Sequence, residues 1–593
     1  AIFLFIAQIT FSQELYKKVT IPNINQTTVS QLNELGIDMT CGVSIVNNSM
    51  TIELAEHQLQ EITQKGIYYN VLIEDMTKFY SERAIRNLPV AAAEIEREKS
   101  LKRSNQSFKT KGNVLAKSLT INELINNIGQ YDECDEIDWS VPDNWNLNDS
   151  DSYPTETNHF GGCLTYDMVL QELDDMKALY PNLISKKKNA SPTNQLTIEG
   201  RTVWMVRISD NPEVDEPTEP ETLYQSLIHS RESATVMNQL YFMWYLLENY
   251  DSDPAIKNMI NNHALYFIPV FNPDGFVYNE TIAPNGGGLQ RKNRNTSGGC
   301  STYGDGIDLN RNSAYYWGNG GSDIANNCNA TYAGTGPFSE NETQIMRDFV
   351  YEHDFKLALN HHSFKNVMLH GYAGVGIENP RPDEYSKYNH DMTFYNRYAH
   401  GPSTSISGLN SGNMNDWMLG GPAGVSSVSG TPTGIGSGKH TLSWTPENGL
   451  GSEASGSGFW PDPVNFMPIA KRAMRANFLA AYYSGKYAKL IDLTNSDLNA
   501  LTGNLNFGIE FLGQSASNFT LTVTPVSSNI TSIVSPSTQS GMATLEQRNV
   551  SAAYTLDGSI QPNDEIEFKV TLSNSNYVLY EANITKYYNP STI

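Results

Sequence analysis

From about residue 153 to 488, apolar strand-like runs alternate with helical ones, and this alternation limits the chain's possible folds more than any other feature. TLYQSLI, ALYFIPVF and KLALNHH read as buried strands, and SATVMNQLYFMWYLLENY reads as a helix. Strands regularly separated by helices predict an α/β fold, a mixed or parallel sheet with helices on both faces. Long Gly/Ser/Asn-rich loops at 285–305 and 401–438 interrupt the pattern, and loops on a rigid scaffold are where sites are built.

The flanks have a different character. Residues 13–96 read as a small α/β unit: LYKKVTI alternates like a strand, TTVSQLNELGI has helical spacing, and MTIELAEHQLQEITQKGI repeats strand then helix. Residues 97–152 open with REKSLKRSNQSFKTKGNVLAK, basic and poor in large apolar groups, and continue into an Asn/Asp-rich stretch. This composition predicts a linker and a site of proteolytic cleavage within 97–117. After the α/β region, residues 495–593 run as short Thr/Val/Ser-rich segments with turns between them, predicting a β-sandwich. The chain opens AIFLFIAQITFSQ. With no basic start before it, residues 1–12 read as a signal peptide lacking its first residues, and hence as a mark of secretion to an extracellular or periplasmic space.

The 593 residues carry a formal net charge of −24. That acidity argues against nucleic acid, whose affinity comes from neutralising phosphates with Lys and Arg, and against an anionic membrane surface. No run beyond the N-terminus has the ~18 uninterrupted apolar residues of a membrane span. Five cysteines are too few for a disulfide scaffold in a chain of this size.

The chemistry concentrates where strands end. TLYQSLI leads into His229-Ser230-Arg231-Glu232 at the start of a helix, and a His and a Glu three apart can face one cation. A catalytic zinc needs three protein ligands and an open position. A third ligand must end another strand, and KLALNHHSF offers His361 or His362, of which strand alternation lets only one point at a metal.

The segments HSRE (229–232), FNPDG (271–275), RKNRN (291–295), GIDLNRN (306–312), HHSF (361–364), NDW (415–417) and TPENG (445–449) occur in this order. Together they resemble the zinc metallocarboxypeptidases related to carboxypeptidases A and B, over roughly 153–488. The resemblance implies an α/β catalytic domain with a mixed eight-stranded sheet, preceded by an activation propeptide whose removal needs a second protease. It implies one zinc ion held by His229, Glu232 and His362, with Glu447 as general base and Arg291 as electrophile beside the scissile carbonyl. Asn310 and Arg311 would clamp the substrate's C-terminal carboxylate, with Arg231 nearby. Asp308 would hydrogen-bond the ring nitrogen of His229 that faces away from the metal. Cys300 and Cys328 stand where the family often has a disulfide; Cys134 with Cys163 rests only on both lying near the domain start.

These residue types suit peptide hydrolysis. A metal acidifies a water, a carboxylate moves its proton to the leaving amine, and a planar guanidinium grips a carboxylate through two hydrogen bonds. The match frays in two places. The loop SISGLNSGNMNDW has Ser407 and Gly408 where the family usually carries a mobile Tyr, and Phe364 stands where a Tyr is frequent. Asn415 and Ala373 fall at the specificity pocket, and a pocket without an acid leans towards neutral or apolar C-terminal residues. Two other readings differ in substrate or class: a zinc peptidase acting on peptidoglycan stem peptides, and a non-catalytic binding protein on this scaffold. The intact set His229, Glu232, His362 and Glu447 argues against the second.

Overall fold

The strands and helices of the N-terminal unit build a small layer of their own. β1 (Tyr16–Ile21), α1 (Gln26–Glu34), β2 (Val43–Val46), β3 (Ser49–Ala55), α2 (Glu56–Gln64) and β4 (Asn70–Ile73) succeed one another along the chain. The strands form an antiparallel sheet in the order β2-β3-β1-β4. Its alternating apolar positions, including Val19, Ile21, Ile52, Leu54 and Leu59, close a core separate from the rest of the molecule. The structure is a computed structural model that describes residues 14–38, 42–109, 139–148, 158–300, 305–421, 439–449, 458–494 and 497–590. The signal segment 1–12, Cys41 and Cys134 lie outside the described residues.

Helix α3 (Met76–Lys109) connects this unit to the main body. Tyr80, Ala84, Leu88, Ala91 and Ile95 recur at helical spacing, and that stripe is buried in the large core. The basic stretch from Arg97, read from composition as a linker, therefore begins as the last turns of a helix. Its first charges are engaged: Arg97 bonds Glu94, and Lys99, only 1% exposed, reaches Asn146 Oδ1 at 2.6 Å. Trp139, Val141, Trp145 and Leu147, within the same expected linker, are buried in the main core too.

The main body contains α4 (Tyr166–Leu179), β5 (Lys188–Asn189), β6 (Trp204–Ile208), β7 (Glu221–Gln225), α5 (Ala234–Asn249), α6 (Pro254–Ile260), β8 (Ala264–Ile268) and α7 (Pro273–Ile282). After a long loop come α8 (Asn341–Glu352), β9 (Phe355–Asn360), β10 (Val367–His370), α9 (Pro382–Thr393), β11 (Ala399–Pro402), α10 (Ser403–Ile406), α11 (Met414–Gly420), β12 (Leu442–Glu447) and α12 (Pro463–Ser484). The eight strands form one mixed sheet in the order β11-β10-β12-β9-β7-β8-β6-β5. β12, β9, β7 and β8 run parallel to one another, while β6 and β10 run antiparallel to their central neighbours. Central strands buried on both faces need continuous apolar runs, and β8 is buried along its whole length. The parallel core brings the C-terminal ends of β7, β9 and β12 to one edge, where open α/β sheets place their ligands.

The remaining strands, β13 (Ala488–Asp492), β14 (Asp497–Leu498), β15 (Thr502–Phe511), β16 (Thr520–Pro525), β17 (Ile530–Val534), β18 (Gln547–Leu556), β19 (Glu565–Ser573) and β20 (Val578–Tyr588), form two four-stranded sheets. Strict alternation of buried and solvent-facing positions in β19 marks a sandwich. It packs on the main body, with Tyr388 Oη donating to the Leu512 carbonyl at 2.6 Å. No helix among the described residues is long and apolar enough to cross a membrane.

Candidate active site

The strand ends carry the metal-binding groups. His229 and Glu232 lie in the short loop between β7 and α5, and His362 lies two residues beyond β9. All three are buried. His229 Nδ1 lies 2.7 Å from Glu232 Oε1, and His362 Nδ1 lies 3.1 Å from Glu232 Oε2. The latter contact makes no hydrogen bond, so His362 Nδ1 is an orphaned buried atom. Each of the three offers one donor atom within 4.8 Å of the others. Three ligands of N, N and O type leave a fourth position of a tetrahedral zinc open.

The orientation of the rings supports the same fit. His229 Nε2 lies 3.2 Å from Asp308 Oδ1. A proton on that nitrogen donates to the carboxylate and leaves Nδ1 with its lone pair towards the cluster. His361 turns to the other face of the strand, where its Nδ1 meets Asn448 Nδ2 at 3.1 Å, and burial lowers its pKa to about 4. Strand alternation thus separates the two adjacent histidines.

Glu447 is the last residue of β12 and pairs in parallel register with His362. It is 2% exposed and its Oε2 has no hydrogen-bond partner. Opposite, the long loop before α8 supplies the cations. Arg291 donates from Nε and Nη2 to Asp308 Oδ2 at 3.1 and 2.8 Å, and its Nη1 lies 3.2 Å from His229 Nδ1. A tight turn, Leu309–Arg311, is capped by Asp308, whose Oδ1 accepts from the Asn310 amide. That turn presents Asn310 and Arg311 side by side. Arg311 is fixed by hydrogen bonds to the Gly321 and Asn310 carbonyls. Cys300 and Cys328 are joined, tying the two halves of this loop.

The zinc carboxypeptidase family, Peptidase_M14, matches residues 169–435. That stretch is similar to a zinc carboxypeptidase domain. Mouse carboxypeptidase A2 is 28% identical over 270 residues, 44% of this chain and 60% of that protein. A zinc carboxypeptidase from Saccharothrix mutabilis subsp. capreolus is 33% identical over 159 residues, 27% of this chain and 34% of that protein. The chain thus spans less than two thirds of the length of these curated relatives. The crystal structure of carboxypeptidase A from Helicoverpa armigera shares the fold, with a TM-score of 0.55 at 20% identity, covering 79% of this chain and 97% of that one. Glu447 falls beyond the matched stretch, so its place in the carboxypeptidase domain rests on the pairing of β12 with His362.

Electrostatics in the domain are dominated by burial and by this cluster. Burial opposes ionisation of Asp308, but Arg291, Arg311 and His229 outweigh it and hold the carboxyl well below its usual range. Glu232 is likewise held low against burial by the two histidines. Glu447 goes the other way: burial first, then Glu232 and Asp38, push its carboxyl well up.

Asp38 has no counterpart among the residues expected from sequence. Its carboxylate lies 2.9 Å from Arg291 Nη1 and 3.3 Å from Arg311 Nη2. It stands in the loop after α1, whose neighbours also touch the domain: the Gly42 amide donates to the Phe364 carbonyl and Asn329 Nδ2 donates to the Leu35 carbonyl. A lone Asp 273 residues before its partner Arg311 carries no local signal in the sequence. Arg231 is close by, its guanidinium stacked 3.8 Å from the Phe459 ring. Asn415, on α11, bonds Thr445 Oγ1 through Nδ2 at 2.6 Å. Near Ser407 and Gly408 the loop is held by Lys365 Nζ, 3.1 Å from Ser407 Oγ.

Proposed function

We propose that this protein is a zinc-dependent carboxypeptidase made as a latent proenzyme, which removes C-terminal residues from peptides. The observation that carries the reading is the carboxylate of Asp38 seated on Arg291 and Arg311 beside the His229–Glu232–His362 cluster. A carboxylate that bridges the two guanidinium groups marks the place where Arg311 can hold the C-terminus of a peptide and Arg291 the carbonyl beside it.

The roles come from position. His229, Glu232 and His362 would hold one zinc ion. When bound, zinc supplies a water acidified to a pKa of about 7 and a Lewis acid for the carbonyl. Glu447, unpartnered at Oε2 and next to His362, takes a proton and returns it to the leaving amine. Arg291 faces the cluster and stabilises negative charge developing on the carbonyl oxygen. Asn310 and Arg311 position the terminal carboxylate, with Arg231 in the adjoining subsite. Asp308 fixes the His229 ring and the Arg291 guanidinium together.

In the uncut chain the N-terminal unit lies over this cleft. Its separate core supports its leaving as one body once the chain is cut beyond α3. Composition puts the activating cut within 97–117, of which residues 97–109 belong to α3. The Cys300–Cys328 disulfide supports an oxidising, extracellular or periplasmic location. The test is one peptide with a free and with an amidated C-terminus, given to protein cleaved after Lys109 and containing zinc. Stepwise loss from the free form alone is the expected result. Internal cleavage of both forms would refute the reading.

A further inference from the structure

Resting on that reading, we propose that the pocket for the substrate's C-terminal side chain is a carboxamide receptor, so that the enzyme prefers C-terminal Asn and Gln. The pocket opens beside Asn310, His362 and Glu447, next to the clamp on the terminal carboxylate, and is narrow. Its walls are polar: His370, Ser403, Asn410, Asn413, Asn415 and Thr445 all line it. The only large apolar side chain among its lining residues is Leu369.

Most of these groups are already committed to one another. Asn413 accepts from the Asp416 amide and donates to the Asn410 carbonyl. Asn415 accepts from Asn360 Nδ2 at 2.5 Å and donates to Thr445, which leaves its second N–H available. Asn410 is different. It is 8% exposed, yet its side-chain Oδ1 has no hydrogen-bond partner. A buried carboxamide without a protein partner is costly, and a ligand that replaces the water there is favoured when it supplies complementary groups. Another carboxamide is complementary: its N–H donates to Asn410 Oδ1 while its oxygen accepts from an Asn410 or Asn415 N–H. The match survives exchange of O and N in either asparagine, since each amide offers one donor end and one acceptor end.

Other side chains fare worse. A leucine or phenylalanine would bury the Asn410 amide with nothing to bond. For acidic residues, no Lys or Arg among the described residues lines the pocket, and burial lowers the pKa of His370 to about 4, leaving it neutral. For basic residues, the only carboxylate lining it among the described residues is Glu447, while Asp416 is turned to the Ala373 and Gly374 amides. The lean from sequence towards neutral or apolar residues is thereby kept for neutral side chains and turned from apolar to polar ones.

The test is a set of N-acylated tripeptides ending in Asn, Gln, Leu, Phe, Lys or Glu, given to the full chain after cleavage beyond Lys109. We expect kcat/KM for Asn and Gln to exceed that for Leu and Phe by at least about tenfold, since sites built around polar groups reject analogues that cannot bond them. Asn410→Leu should reverse the order, raising the rate on Leu-ended peptide while lowering that on Asn-ended peptide about tenfold or more. A parent enzyme that prefers Leu or Phe overturns the pocket inference and leaves the carboxypeptidase reading standing. Binding to the Glu447→Gln variant reads the pocket without turnover. Tighter binding of the Asn-ended peptide supports the inference, and equal binding of Asn- and Leu-ended peptides overturns it even if no residue is ever released.

Discussion

The carboxylate of Asp38 lies 2.9 Å from the guanidinium of Arg291, so a residue of the N-terminal unit occupies charge that the cleft otherwise directs at substrate. The same carboxylate reaches Arg311 at 3.3 Å. Hydrogen bonds to charged groups contribute about 1.5–3 kcal/mol each. Removing them should loosen the cover without releasing it, because the buried stripe of α3 stays in place. The uncut Asp38→Ala chain should therefore release C-terminal residues about ten- to a hundredfold faster than the uncut parent. Equal rates would show that Asp38 does not hold the cleft shut.

Glu447 is buried beside the metal cluster but contributes no atom to it. Glu447→Gln keeps the shape and the hydrogen-bonding capacity and removes only the basic oxygen. Zinc content, measured by elemental analysis, should match the parent, while turnover falls about 10²- to 10⁴-fold. A variant that keeps its turnover would remove Glu447 as the proton carrier. One that loses its zinc would make it a ligand.

Much of the site was legible because its residues are local. His229 and Glu232 share one loop, Asp308 to Arg311 share one turn, and strand alternation separates His361 from His362. The sheet was legible for a similar reason: β8 is apolar throughout and β7 and β9 are buried along most of their length, and only a covered sheet accommodates such strands. What escaped is non-local. Asp38 is an ordinary loop acid until folding places it on Arg291. Asn410 is an ordinary loop amide until Ala373, Asn415 and Thr445 enclose it. The helical turns after Arg97 were hidden by their charge, since composition does not reveal that Lys99 has Asn146 waiting for it. Polarity marks a linker only when the polar groups are left to solvent.

Arg311 is held rigid by the Gly321 and Asn310 carbonyls, so the Nη2 edge that Asp38 occupies is set for a planar anion rather than adapting to one. Arg311→Ala should lower kcat/KM on peptides with a free C-terminus about a hundredfold, in line with a charge-assisted pair of hydrogen bonds. Amidated peptides, which offer no carboxylate, should be poor substrates before and after the change. Equal fractional losses on both kinds would mean that Arg311 serves the fold and not the terminal carboxylate.

Glu342, in the first turn of α8, shows how burial makes stability depend on pH at a distance from the metal cluster. It is wholly buried, its Oε1 lacks a partner, and its Oε2 receives a 3.3 Å contact from Asn293 Nδ2. Burial, with Asp274 and Glu340 adding to it, pushes its pKa from 4.5 up to about 8. An acid raised on folding binds its proton more tightly in the native state than in the unfolded one. Stability therefore falls as pH rises from about 4.5 to about 8, and the loss is complete above that window. Glu172 and Glu280, raised to about 7 chiefly by burial, act in the same direction, while Lys292, lowered to about 7 by burial, acts in the opposite one above that pH. Glu342→Gln keeps the shape and removes the titration. At pH 8.5 it should be more stable than the parent, by on the order of 1–3 kcal/mol, and at pH 5 the two should differ little. Urea midpoints at pH 5, 7 and 8.5 measure this, and parallel curves for the two proteins would mean that Glu342 is ionised in the folded state at no cost.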